Sequence, residues 1–342
     1  MTQFLRRSTG TPWFIMTVGL LLFVAAWFGL GAIDAATLSV VVLGLYYGVA
    51  GASFNLLHGS TGIFSLAQPV FLAVGGFTSI VLYSHFGISP WLSILIAVGI
   101  SAALALPIGA IAMSKEGTVI TALVTLIVAE AAAPIVTSFN ILGSGPGLNE
   151  NVLPGSNFSA MQFATGLPFA RILLVLNGVI ILGLFIFARS RFGRWSTALR
   201  DSIVAAEACG VPTKRLRLGV FVGAAVIAAP AGVIYAQYAL QANTDLFLQS
   251  TTLFEVIVVA LVGGAARPWG ALVGALIMTQ LSYHVANAFP GRDGLSALIF
   301  GIAFLFVALA MPEGISGFWA KITGRVRSSK ADRGLLTAQS EV

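Results

Sequence analysis

Apolar residues along this chain fall into long unbroken runs, and polar residues gather in the short stretches between them. Backbone N–H and C=O groups find no water inside a bilayer, so a spanning segment is a helix or part of a closed barrel. The runs are continuous over about 20 residues, the length a crossing helix needs, rather than alternating over about 10 as barrel strands do. They read as helices. Ten are marked out: 12–33, 35–57, 63–83, 90–113, 118–139, 170–188, 218–240, 251–263, 271–289 and 294–311. The eighth is short. The first follows Arg6 and Arg7, but its apolar stretch outruns the about 7–15 residues of a signal-peptide core, so it reads as an uncleaved helix.

Composition makes the class definite. Of 342 residues, 58% are hydrophobic and only 9% are charged, against about 45–50% and about 25% in a soluble domain. So few charges cannot coat a globule of this size. A soluble enzyme, a disordered chain and a nucleic-acid binder are excluded on that count. The fold class is all-α, a polytopic transmembrane bundle of about ten spans. Residues 1–320 are expected to form one transmembrane domain, and residues 321–342 a polar basic tail expected to be disordered.

The charges set the orientation. With ten crossings and both termini cytoplasmic, 16 of the 18 Lys and Arg lie on the cytoplasmic side. Only Arg171 and Arg292 lie outside, as the positive-inside rule requires. Two connections are longer than a turn. The 140–169 loop faces outward with one acid, Glu150, and a Gly-Ser-Gly-Pro-Gly run at 143–147 that needs permissive backbone angles. The 189–217 loop faces the cytoplasm with seven basic residues and two acids, Asp201 and Glu207.

Several chemistries are missing. The single cysteine, Cys209, excludes an internal disulfide, and His58, His85 and His284 have no metal-site spacing. No metal or cofactor site is expected. None of the four lysines follows a glycine, so there is no Walker A loop to cradle phosphates. These absences point to transport rather than catalysis.

Four features are candidates for function. The stretch from Gly59 to Pro69 carries Ser60, Thr61, Gly62, Ser65 and Gln68 where lipid favours aliphatic residues. It is either a broken helix lining a translocation path or a turn followed by a polar packing face. Glu130, near the middle of the fifth run, either meets substrate or protons or ties two helices by a hydrogen bond. Asn177, Gln237, Gln280 and His284 read as interhelical hydrogen-bonders, and Glu255 as reaching water. Gly48, Gly51, Gly75, Gly76, Gly263, Gly264, Gly270 and Gly274 read as close-packing positions. The Gly-Gly pairs fall in opposite halves of the chain, which points to two inverted five-helix halves. In the 189–217 loop, the Ala-rich stretch 197–209 reads as a short helix stopped by Gly210 and Pro212. It is either a topology anchor or a docking element.

That loop carries a resemblance. Arg189-Ser190-Arg191-Phe192-Gly193-Arg194, Ala198-Leu199-Arg200-Asp201 and Ala205-Ala206-Glu207-Ala208-Cys209-Gly210 resemble the cytoplasmic loop of the permease subunits of branched-chain amino acid ABC importers, most closely the LivM type. Gly59–Gln68, Gly117–Glu130 and the late Gly263-Gly264, Trp269-Gly270 and Gly274-Ala275 pattern are similar to that family in the same order. Ser60, Ala67 and Gln68 depart from its Gly-Tyr-Thr-Gly-x-x-Ser-Leu-Gly-His pattern. Val204 departs from the broader permease loop pattern.

The resemblance implies a bacterial inner-membrane permease without enzymatic activity of its own. It implies two ABC ATPase subunits carrying ATP and Mg, a second homologous permease and an extracytoplasmic substrate-binding protein. Thr61, Gly62, Ser65, Gln68, Thr125 and Glu130 would line the path. Arg200, Asp201, Ala205, Ala206, Glu207 and Gly210 would couple it to an ATPase. The implied substrate is a small hydrophobic amino acid, with urea or short amides as the alternative within the family. An ion-coupled carrier using Glu130, or a passive channel, is the alternative outside it.

Overall fold

The computed structural model describes residues 23–113, 118–143, 147–150, 157–265, 267–288 and 301–302. In chain order they form α1 (Phe23–Ala32), α2 (Ala35–Thr61), α3 (Gln68–Phe86), α4 (Pro90–Ala112), α5 (Thr118–Thr137), strand β1 (Leu148–Asn149) and α6 (Leu167–Arg189). There follow α7 (Arg191–Asp201), α8 (Ile203–Ala208), α9 (Thr213–Ala239), β2 (Gln241–Ala242), the single turn α10 (Thr244–Phe247), α11 (Ser250–Gly263) and α12 (Gly270–Ala288).

Seven helices among the described residues are long and apolar enough to cross a membrane. The all-helical membrane bundle is therefore as expected, while the count of ten is not reached. The run 294–311, apart from 301–302, and residues 12–22 of the run 12–33 lie outside the described residues, as does the 321–342 tail. The ninth run forms as α12, but Gln280, His284 and Asn287 in its second half lower its hydropathy, and it is not among the seven. The third run begins at Gln68 rather than 63, because residues 62–67 leave the helix.

Local chemistry sets the helix ends. The Asp34 side chain accepts the Thr37 N–H at 3.2 Å and starts α2. Gly62 ends it with φ 72°, its N–H returning to the His58 carbonyl. Only glycine takes that angle without cost. Helices α3, α4 and α6 open with proline in the first turn, where no N–H partner is lost.

The centre of the bundle is shared by α2 and α9. Of the spanning stretches, 89% of α2 is buried within the chain but only 17% of α5, so α2 is central and α5 is an outer helix. The packing is reciprocal. Helix α2 lies on α11 and α12, α9 lies on α3 and α4, and α2 and α9 lie on each other. Glycines make these approaches possible. A methyl group on Gly232 would overlap the Leu72 carbonyl, and one on Gly75 would overlap the Ala229 carbonyl, so α3 and α9 touch backbone to backbone. Gly274 meets Val259 and Gly263 meets Gly270 in the same way between α11 and α12. The close-packing reading of these glycines holds.

At the end away from the 189–217 loop, β1 pairs antiparallel with β2, Leu148 opposite Ala242. Gly143 and Gly147 take φ 83° and 77°, the permissive angles their run implies. Glu150 follows β1 and is buried. Its carboxylate accepts from Gln162 Nε2 at 2.6 Å and Gln237 Nε2 at 2.9 Å, and Gln237 Nε2 also donates to Ser79 Oγ. One acid thus ties the loop to α9 and α3. Asn177 ties α6 to α2 by donating to the Leu45 carbonyl at 2.9 Å, and Glu255 is hydrogen-bonded to the Tyr47 side chain rather than left to water.

Two outcomes follow. Replacing Gly232 by Ala forces α3 and α9 apart and should cost about 1–3 kcal/mol, read as a lower thermal unfolding midpoint in detergent. Gly99→Ala, with nothing within 4 Å of the new methyl, should not lower it. Burial pushes the Glu150 carboxyl above its ordinary value, and the two amide donors pull it down by less. A raised folded-state pKa means stability present at acid pH and lost as pH rises through that value. Wild type should therefore gain stability relative to Glu150→Gln on acidification, measured by parallel unfolding curves across the carboxylate range.

Candidate functional site

The break at 62–67 sits where α2 ends and α3 begins, on the same end of the bundle as the 189–217 loop. Its backbone needs partners that a helix would have supplied. Thr125 on α5 supplies one: Leu66 N–H donates to Thr125 Oγ1 at 3.0 Å, while that hydroxyl donates to the Thr121 and Ala122 carbonyls. Ser65 Oγ accepts from Ala67 N–H at 3.3 Å. Thr61 Oγ1 donates to the Leu57 carbonyl at 2.7 Å. Thr61, Ser65, Gln68 and Thr125 are all buried within the chain. The structure brings Thr61, Gly62, Ser65, Gln68 and Thr125 together around one break.

Glu130 stands apart from them, exposed on α5, and its Oε1 accepts from Ser250 Oγ at 3.2 Å. Of its two sequence readings, the hydrogen bond between helices is present, joining α5 to the start of α11. A small apolar cluster of Val70, Ala129 and Leu253, with Leu66 and Leu248 packed on it, lies between these groups. Both irregular stretches, 62–67 and 240–249, thus converge on the middle of α5. The outward face of α5 carries Val119, Leu123 and Ile127, each more than half exposed.

The 189–217 element is two helices, where the sequence predicts one over 197–209. Helix α7 starts earlier, at Arg191, because Ser190 Oγ caps it by accepting the Gly193 N–H at 3.2 Å. Gly193 is packed against the Phe187 carbonyl so closely that a side chain would overlap it. Helix α7 stops at Ser202, which is extended (φ −162°) and caps α8 through the Ala205 N–H. A serine in a good helical stretch is neutral by propensity, and only this second cap reveals the break. Gly210, at φ 77°, ends the element. Asp201, Ala205, Glu207 and Gly210 are exposed and Ala206 is buried. Glu207 Oε1 accepts from Thr213 Oγ1 at 2.6 Å, fastening α8 to the start of α9. Cys209 is exposed.

Arg200 joins the two regions. Its Nη1 donates to the Gly59 carbonyl at 2.8 Å, one of the carbonyls the end of α2 leaves without an intrahelical partner. Its Cγ lies 3.2 Å from where a methyl on Gly62 would sit, a tight contact. A second link runs through buried Arg217 at the start of α9, whose Nη2 reaches Thr121 Oγ1 at 3.5 Å, one turn before Thr125. The resemblance implies a coupling role for Arg200; in the fold the residue is exposed, and its guanidinium also bonds to the end of α2 beside the broken segment.

Comparison with known proteins bears on this arrangement. The family model described as branched-chain amino acid transport system / permease component matches residues 36–308, which holds every element above from α2 onward. The chain belongs to this permease family. The Escherichia coli K12 high-affinity branched-chain amino acid permease protein LivM is 23% identical over 326 residues, covering 88% of this chain and 74% of LivM. The probable LivH permease protein of Methanocaldococcus jannaschii is 26% identical over 290 residues, covering 78% and 88%. The autoinducer 2 import permease protein LsrC of Salmonella typhi is 25% identical over 263 residues, covering 72% and 76%. No solved structure matches. The protein is thus a multi-pass inner-membrane permease of the ABC-transporter kind.

Thr125→Val removes the hydroxyl that receives the Leu66 N–H and keeps the shape. It should destabilise the permease by about 1–3 kcal/mol, whereas Thr125→Ser should recover most of the loss. Unfolding of the detergent-solubilised variants measures both.

Proposed function

We propose that this permease forms the translocation path of an ATP-driven importer for small hydrophobic amino acids, and that the α7–α8 element is where ATPase subunits push. On this reading both termini and the 189–217 element are cytoplasmic. Two ATPase subunits carry ATP and Mg, a second permease faces α5, and an extracytoplasmic binding protein delivers the substrate. The path runs over the outward face of α5 past Glu130 and Ser250. Thr61, Gly62, Ser65, Gln68 and Thr125 form the wall behind it that shifts between states.

The observation that carries the reading is the Arg200 bond to Gly59. A push on exposed Asp201, Ala205 and Glu207 moves α7, and α7 holds the end of α2 through that bond. Arg217 and Thr121 extend the same connection to the helix that holds Leu66. ATP biases the path only if it favours one arrangement over the other, and this contact gives the ATPases a lever on the difference. The reciprocal packing of α2 on α11–α12 and of α9 on α3–α4 supports two inverted halves. The apolar face around Glu130 supports an aliphatic substrate over urea or short amides, since such a wall favours aliphatic groups and a few polar ones fix orientation.

Arg200→Ala should leave the permease inserted and bound to its ATPases in a pull-down, yet lower uptake about tenfold or more, the equivalent of one lost charged hydrogen bond. Leucine, isoleucine or valine should compete for uptake and urea should not. Unchanged uptake in the variant sinks the lever. Uptake that outlasts ATP depletion but collapses with the ion gradient transfers the reading to a carrier that uses Glu130.

A further inference from the structure

Glu130 has acceptor capacity that its bond to Ser250 does not exhaust. A carboxylate offers about four acceptor sites, and the Ser250 hydroxyl fills one, on Oε1 at 3.2 Å. The backbone adds another acceptor. Pro134, four residues on in α5, has no N–H to return to the Glu130 carbonyl, so the helix ladder lacks that bond. Glu130 and Pro134 are both exposed. A carboxylate and a main-chain carbonyl are thus left on one face of a spanning helix. The elements that meet there, α5, the 240–249 connection and α11, contain no Lys, Arg or His. A carboxylate in a membrane span is costly and calls for a partner. The missing partner is a cation that can donate hydrogen bonds.

The rest of the face is apolar. Ile127 and Leu123 lie one and two turns back on the same side of α5. Phe254 lies one turn on from Ser250 along α11. Each of the three is more than half exposed. Acceptors beside such a wall fit a small molecule that joins a cationic nitrogen to a short branched hydrocarbon. An ammonium group brings one positive charge and three N–H donors. A hydroxyl or oxo group in its place brings no charge and at most one donor.

We propose that Glu130 receives the α-ammonium group of the amino acid, with Ser250 as the positioning residue that fixes the carboxylate and with Leu123, Ile127 and Phe254 against the aliphatic side chain. This rests on the path assigned above and adds its polar requirement. A free amine is needed, so 2-hydroxy acids of the same shape are refused. An apolar wall alone separates close analogues weakly, whereas a site built for a hydrogen-bonding group rejects the analogue that lacks it far more strongly.

The test uses the whole purified permease in neutral detergent. Its thermal unfolding midpoint is followed while adding leucine, 3-methylbutylamine, 2-hydroxy-4-methylpentanoate or ammonium chloride. Leucine and the amine should raise the midpoint, and the hydroxy acid and ammonium chloride should not. Glu130→Gln should need about tenfold more leucine for the same rise, and Ser250→Ala about threefold more. Ser250 stands at the start of α11, so its variant remains informative if the Glu130 variant fails to insert. Uptake by cells carrying the whole importer, measured in parallel, separates the two readings: uptake that outlasts ATP depletion removes the ATP-driven importer and leaves these midpoints as they are. No rise with leucine, an equal rise with the hydroxy acid or with ammonium chloride, or unaltered leucine responses in both variants would overturn the proposal.

Discussion

Inside a bilayer a backbone amide that leaves its helix cannot turn to water, and this constraint decides where the chain is free to be irregular. Residues 62–67 leave the helix only because other groups take over. Thr125 receives the Leu66 N–H, Ser65 receives that of Ala67, and Arg200 takes the Gly59 carbonyl. The break is therefore tied to α5 on one side and to α7 on the other. Two amides of this segment rest on side chains and a third bond holds the end of α2 beside it, where a helix would have used its own ladder.

Close packing supplies the frame around it. Helices α3 and α9 meet at Gly75 and Gly232 with carbonyls where side chains would be, and α11 and α12 meet likewise at Gly274. Such contacts leave no room for a side chain between the two backbones, so each pair is held at close range. Helix α5 has few contacts of this kind and lies outside, joined to the rest by Thr125, by Glu130 and by a small apolar cluster. Closely packed central pairs and a less buried outer helix are the two parts of this arrangement.

Much of this was legible in the sequence. Apolar runs of helical length marked the spans from α2 to α6, α9 and the stretch ending in α11, because a bilayer makes the hydrophobic signal long and continuous. The polar, glycine-containing stretch at 59–68 marked the break, and the basic Ala-rich loop marked the second element. The direction of Arg200 was not legible, since an arginine in a basic loop reads the same whether it points out or in. The break at Ser202 was hidden because serine caps are indistinguishable from serines within a helix until the backbone is seen. Glu150 gave no signal either: a lone acid in an outer loop becomes a clasp only when Gln162 and Gln237, 12 and 87 residues away, close on it.

The shortness of α11 has its own consequence. Fourteen residues, Ser250–Gly263, rise about 21 Å at 1.5 Å per residue, less than the ~30 Å of a hydrocarbon core. The single turn α10 supplies the rest, since Thr244–Gly263 together make one of the seven spans, and the joint at Leu248 and Gln249 falls beside Ser250, which is bonded to Glu130. A crossing segment made in two pieces sets polar side chains against the outer helix at its joint, where one continuous helix would present an unbroken apolar face.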